Sequence, residues 1–133
     1  MQNELILVVD DEPLLCDVTR RMLMSVGFDV LTATSVSDGL RLVDQPGRQV
    51  RVIILDVGLP GIAGERALKL FTAQAPKVPV LMTSSFLAAE LEDRFVRAGA
   101  VGFLQKPYLT AELLEAVRVA LACWNDEKVP WTR

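Results

Sequence analysis

Short apolar runs alternate with stretches of helical spacing along the whole chain. Leu5-Ile6-Leu7-Val8-Val9 is an unbroken apolar run that meets Asp10, Asp11, Glu12 and Pro13. A run of that length, closed by a helix-start signal, predicts a buried strand. Pro13 suits a first helical turn, and apolar residues then recur at Leu14, Leu15, Val18, Met22, Leu23 and Val26. That spacing predicts a helix, which Gly27 ends. Phe28 to Ala33 reads as a second strand, and Ser35 or Ser37 as the cap of a second helix, with Gly39 a weak point in it. Gln45-Pro46-Gly47 is a turn, and Arg48 to Arg51 a polar approach to the third strand, Val52-Ile53-Ile54-Leu55.

The third strand ends in Asp56 and a loop rich in helix breakers, before a helix from about Glu65 to Ala75. Val80 to Thr83 is a fourth strand that ends in Ser84 and Ser85, and Phe86 to Ala98 a weakly amphipathic fourth helix. Val101 to Gln105 is a fifth strand that runs into Lys106-Pro107, and Thr110 caps a fifth helix through Trp124. Residues 125–133 read as a tail or the start of a linker, and residues 1–124 as one domain.

Strict alternation of five strands and five helices predicts a parallel α/β sheet covered on both faces. All strands of such a sheet point the same way. Asp10, Asp11, Asp56, Ser84 and Lys106 therefore converge on one edge, where open α/β sheets bind ligands. Two adjacent carboxylates repel when partly buried, and a hard oxygen-seeking cation such as Mg²⁺ offsets that repulsion. The acidic pair alone is equally compatible with a helix cap; the convergence of four strand ends is far more specific.

Composition narrows the chemistry. The chain has no histidine, which excludes Ser-His-Asp and Cys-His centres, histidine zinc sites and a phosphohistidine of its own. Cys16 and Cys123 are too few for a Cys-rich zinc site and suit reduced thiols in a reducing, cytoplasmic compartment. A net charge of −3 gives no sign of a nucleic-acid surface. No apolar stretch reaches a membrane-spanning length, and Met1 is followed by polar residues rather than by a signal peptide's apolar segment.

The stretches Val8-Val9-Asp10-Asp11-Glu12-Pro13, Ile54-Leu55-Asp56, Leu59-Pro60-Gly61 with Gly64, Pro79-Val80-Leu81-Met82, and Gly99-Ala100 through Gly102-Phe103 to Lys106-Pro107 carry a family resemblance. From about Leu5 to Trp124 the chain resembles a receiver domain of bacterial two-component response regulators, including those fused to hybrid histidine kinases. The resemblance implies a five-stranded, flavodoxin-like sheet of order 2-1-3-4-5. It implies Asp56 as phosphoacceptor and Asp11 as direct Mg²⁺ ligand, with Asp10 acting mostly through water and the carbonyl of Gly58 completing the metal set. Lys106 would pair with a phosphoryl oxygen, through a Lys106–Pro107 peptide that is usually cis. Ser84 and Phe103 would be the switch pair, with Gly58 and Phe86 tuning the lifetime of the phosphoryl group.

The implied partner is a histidine kinase or histidine phosphotransfer protein, with a homodimer through the fourth helix, fifth strand and fifth helix as one arrangement of the family. Two other readings compete. A haloacid-dehalogenase-like phosphatase wants Asp-x-Asp at its nucleophile, whereas Asp56 is followed by Val57 and Gly58. A degenerate receiver serving only for docking would lack one of the acids or the lysine, and all are present.

Overall fold

The computed structural model describes residues 3–59, 61–85 and 89–125. Five strands, β1 (Leu5–Val9), β2 (Asp29–Ala33), β3 (Val50–Asp56), β4 (Val80–Ser84) and β5 (Gly102–Gln105), alternate with helices α1 (Pro13–Met24), α2 (Val36–Val43), α3 (Gly64–Gln74), α4 (Ala89–Arg97) and α5 (Thr110–Asn125). The strands form one parallel sheet in the order β2-β1-β3-β4-β5. This is the expected fold.

Side chains of successive strand residues leave opposite faces of the sheet, and the core is accordingly two layers. Leu7, Val9, Ile53, Leu55, Val80 and Met82 meet α2, α3 and α4. Ile6, Val8, Val52, Ile54 and Leu81 meet α1 and α5. The central strands are buried on both faces, which is why they read as continuous apolar runs.

Several local expectations are corrected. β3 begins at Val50, not Val52, because its pairing with β1 skips Arg51: Leu5 pairs with Val50 and Ile6 with Val52. The skipped residue disguises Val50, which is buried in the core. α1 ends at Met24, and part of the apolar spacing does not face inward: Leu14, Val18 and Val26 are exposed, while Cys16, Thr19 and Leu23 are buried. Ser35 rather than Ser37 caps α2, accepting from the Asp38 N–H at 3.1 Å. Gly39 is no weak point, because a Cβ there would lie 2.9 Å from Phe71 Cζ and 3.0 Å from Val9 Cγ2. α2 needs glycine to pack this close to the sheet.

Thr110 is the first residue of α5 instead of its cap. Glu112 reaches back instead, its carboxylate accepting the Leu109 N–H at 2.8 Å, half of a capping box. α4 ends at Arg97 and exposes Glu92, Asp93, Arg94 and Arg97 while burying Phe95, so its two faces differ more than the spacing suggested. Residues 86–88, where the fourth helix was expected to begin, and the tail from residue 126 lie outside the described residues, as does Pro60. Among the described residues, no helix is long and apolar enough to cross a membrane.

Candidate functional site

The site lies where the strand order turns back. β1 and β3 are neighbours, yet the chain leaves them toward opposite edges of the sheet, which opens a crevice at their carboxyl ends. Asp10 follows β1 and Asp56 closes β3. Both are almost wholly buried, at 4% and 5% exposure, whereas Asp11 is exposed. One carboxylate oxygen from each of Asp10, Asp11 and Asp56 falls within 4.8 Å of the others.

Asp10 is held at both oxygens. Oδ1 accepts the Glu12 N–H at 3.0 Å, and Oδ2 accepts from Lys106 Nζ at 2.7 Å. The first bond turns the chain into α1, whose N-terminus favours negative charge nearby. The Cys16 thiol donates to the Asp10 carbonyl at 3.2 Å from the next turn of that helix. Burial, and then the nearby Asp10 charge, push the Cys16 thiol up to about 11.

Lys106 starts two strands away from β3 and crosses the edge to reach it. Its ammonium lies 3.0 Å from Asp56 and 3.7 Å from Glu12, in addition to the contact with Asp10. Its backbone N–H donates to the Ser84 carbonyl at 2.7 Å, so β4 and β5 together set its starting point. The Lys106–Pro107 peptide is cis, as the resemblance implied. Burial opposes the charged ammonium, but the hydrogen bonds it donates to Asp10 and Asp56 outweigh that cost and raise Lys106 above its ordinary value. For Asp56 the balance goes the other way. Burial raises its carboxyl, and Lys106 only partly reverses this. The crevice thus holds more carboxylate than its one ammonium neutralises.

Ser84 is buried at the end of β4. Gly58 is exposed, and its backbone hydrogen-bonds the Asp56 carboxylate. Phe103 is half-buried on β5 and stacked on Phe95 of α4, with ring centroids 6.3 Å apart. Phe95 in turn covers Gly64, where a Cβ would lie 3.0 Å from its Cζ. Arg94 and Glu65 form an ion pair between α4 and α3 beside this contact. Phe86 lies outside the described residues.

Asp10, Asp11, Asp56 and Lys106 therefore come together, with Ser84 and Gly58 on the segments that frame them. Three neighbours escaped the sequence reading. In the sequence Glu12 reads only as part of the acidic run. Thr19 sits on α1 among apolar residues, and Tyr108 follows two residues after Lys106; their hydroxyls meet at 2.5 Å, buried. A polar residue at core spacing on a helix was the available signal for Thr19.

The acid trio fits a hard cation: its donors are all oxygen, they cluster, and their charge exceeds that of Lys106. Residues 6–118 match the family model of the response regulator receiver domain. The chain belongs to that family. This receiver domain carries Asp10 and Asp56 at the carboxyl edge of its sheet. It is 32% identical over 117 residues to the transcriptional regulatory protein TdiR of Thauera aromatica, covering 88% of this chain and 51% of TdiR. It is 36% identical over 126 residues to the transcriptional regulatory protein CreB of Escherichia coli, covering 91% of this chain and 52% of CreB. The receiver domain thus spans about half the length of these relatives. Among solved structures it is similar to a CheY-like receiver domain protein of Methanospirillum hungatei JF-1, with a TM-score of 0.84 at 25% identity, covering 95% of this chain and 99% of the other.

Proposed function

We propose that this receiver domain is a phosphorylation switch that accepts a phosphoryl group onto Asp56 from a phosphohistidine of a histidine kinase or histidine phosphotransfer protein. The observation that carries this is a buried carboxylate at the sheet edge with an ammonium beside it: Asp56 is 5% exposed, with Lys106 Nζ at 3.0 Å. In the transfer, an Asp56 oxygen forms a bond to phosphorus as the phosphorus–nitrogen bond breaks. The electron pair of that bond stays on the imidazole. Negative charge spreads over the phosphoryl oxygens, so rate depends mainly on positioning and neutralisation.

Lys106 serves both needs as a compact point charge. Asp10, Asp11, Asp56 and the Gly58 carbonyl would hold Mg²⁺, which supplies further neutralisation when bound. Exposed Asp11 is the direct ligand in this reading, because Asp10 already has both oxygens engaged. The Ser84 hydroxyl then bonds the new phosphoryl group, and Phe103 turns inward with it. That movement changes the face made by α4, β5 and α5, where a second copy or an attached domain would read it. A ligand shifts such an equilibrium only by its differential contacts with the two states, here those to Ser84 and Lys106.

The test is incubation with acetyl phosphate and Mg²⁺ followed by intact-mass analysis. One phosphoryl group is expected on the wild type and none on Asp56→Asn or in EDTA. Asp11→Ala should weaken Mg²⁺ binding, measured by calorimetry, more than Asp10→Ala. Full labelling of Asp56→Asn overturns the assignment.

A further inference from the structure

We propose that Tyr108 and Thr19 are positioning residues for Lys106. Their hydroxyls are 2.5 Å apart, with residue exposures of 8% and 1%, and they join positions 89 residues apart in sequence. Phenylalanine and valine would fill the same volume in this apolar layer without two hydroxyls to satisfy. A buried polar pair adds no apolar area, but it admits one relative placement of the segments that carry it.

Those segments are the ones that form the crevice. Thr19 lies on α1, the helix that starts directly after Asp10, Asp11 and Glu12. Tyr108 lies two residues beyond Lys106, where the chain leaves β5 for α5. The segments touch at two levels: at the crevice through Lys106 with Asp10 and Glu12, and below it through Tyr108 with Thr19. On its other side the Lys106 backbone is tied to β4 through Ser84. The Lys106 stem is long and flexible, so the point from which it starts decides where its ammonium rests. Without the lower tie, the crevice contacts alone would hold the loop against α1, and the ammonium would sample positions away from Asp56.

The rate arm rests on the proposed function; the lysine arm does not. The experiment compares the wild type with Tyr108→Phe, Thr19→Val, the double variant and Thr19→Ser. The ¹⁵Nζ resonance of Lys106, assigned by its loss in Lys106→Arg, should shift and broaden in Tyr108→Phe and Thr19→Val, and Thr19→Ser should restore it. With acetyl phosphate at saturating Mg²⁺, both single variants should be phosphorylated roughly tenfold more slowly, the scale on which small misplacements act. The double variant should be no slower than either single, because all three remove the same bond. Mg²⁺ affinity should be unchanged or higher, since a looser ammonium competes less for the carboxylates; general loss of structure would lower it. If Tyr108→Phe does not fold, Thr19→Val and Thr19→Ser carry the comparison. An unmoved lysine resonance in the hydroxyl-free variants, or additive rate losses, overturns the proposal. A wild type that accepts no phosphoryl group overturns the proposed function instead, and the lysine resonance still decides this one.

Discussion

Lys106→Met removes the ammonium but keeps most of the apolar stem, so it isolates the charge. In the wild type the ammonium lies 2.7 Å from Asp10 and 3.0 Å from Asp56, and all three side chains are at least nine-tenths buried. At an effective dielectric of about 20, each contact attracts by roughly 5–6 kcal/mol, and burying the ammonium costs several kcal/mol in return. Removing one partner of a buried pair typically costs about 3–5 kcal/mol, and a crevice at the sheet edge belongs at the lower end, about 3 kcal/mol. For a chain of this size that is a fall of roughly 10 °C in Tm.

The loss must depend on pH, and its direction follows from Asp56. Burial holds the Asp56 carboxyl above its ordinary value even beside Lys106. A carboxyl raised in the folded state contributes stability below its unfolded value, about pH 4, and loses it as pH rises through the folded value. Without the ammonium the folded value rises further, so the penalty deepens from about pH 4 toward neutrality. Lys106 itself is raised above its ordinary value and stays charged throughout that window. Thermal unfolding followed by circular dichroism, without Mg²⁺, should show a wide gap between variant and wild type near pH 7 and a narrower one near pH 4. Adding Mg²⁺ should recover part of the neutral-pH gap. A variant as stable as the wild type near pH 7, or a gap equal at both pH values, would refute the reasoning.

Two further expectations are simpler. Gly39→Ala drives a methyl against Phe71 and Val9 at 2.9 and 3.0 Å, and chemical denaturation should register a loss of about 1–3 kcal/mol, as for other overpacked cores. The Cys16 thiol, buried and raised to about 11, should react with a disulfide reagent near pH 7 only as fast as the protein opens, so labelling should accelerate sharply in denaturant.

The site was more legible than the packing around it. Leu5 to Val9 and Val52 to Leu55 are apolar on both faces because parallel central strands demand it, and each is stopped by an acid. Once the strands are parallel, Asp10, Asp56, Ser84 and Lys106 must share an edge. The face that α1 buries was not legible. Leu14 and Val18 have the same helical spacing as the residues that turn inward, and only the fit against the sheet leaves them outside. Thr19 shares core spacing with Cys16 and Leu23, but nothing near it in sequence names its partner, Tyr108. Val50 was hidden by the skipped Arg51, a register fault that no local pattern announces.

The two layers of the core also differ in when they can close. The layer of α2, α3 and α4 draws on sequence between Leu7 and Ala100, with each helix packed near the strands beside it in the chain. The other layer joins α1 to Leu113, Val117 and Leu121 of α5, so its completion requires a contact spanning most of the chain. Long-range closure of this kind comes late and slowly. During synthesis, Ile6, Val8, Val52, Ile54 and Leu81 should therefore remain half-covered until α5 has emerged, an interval in which a chaperone can bind the nascent chain or two chains can adhere to each other.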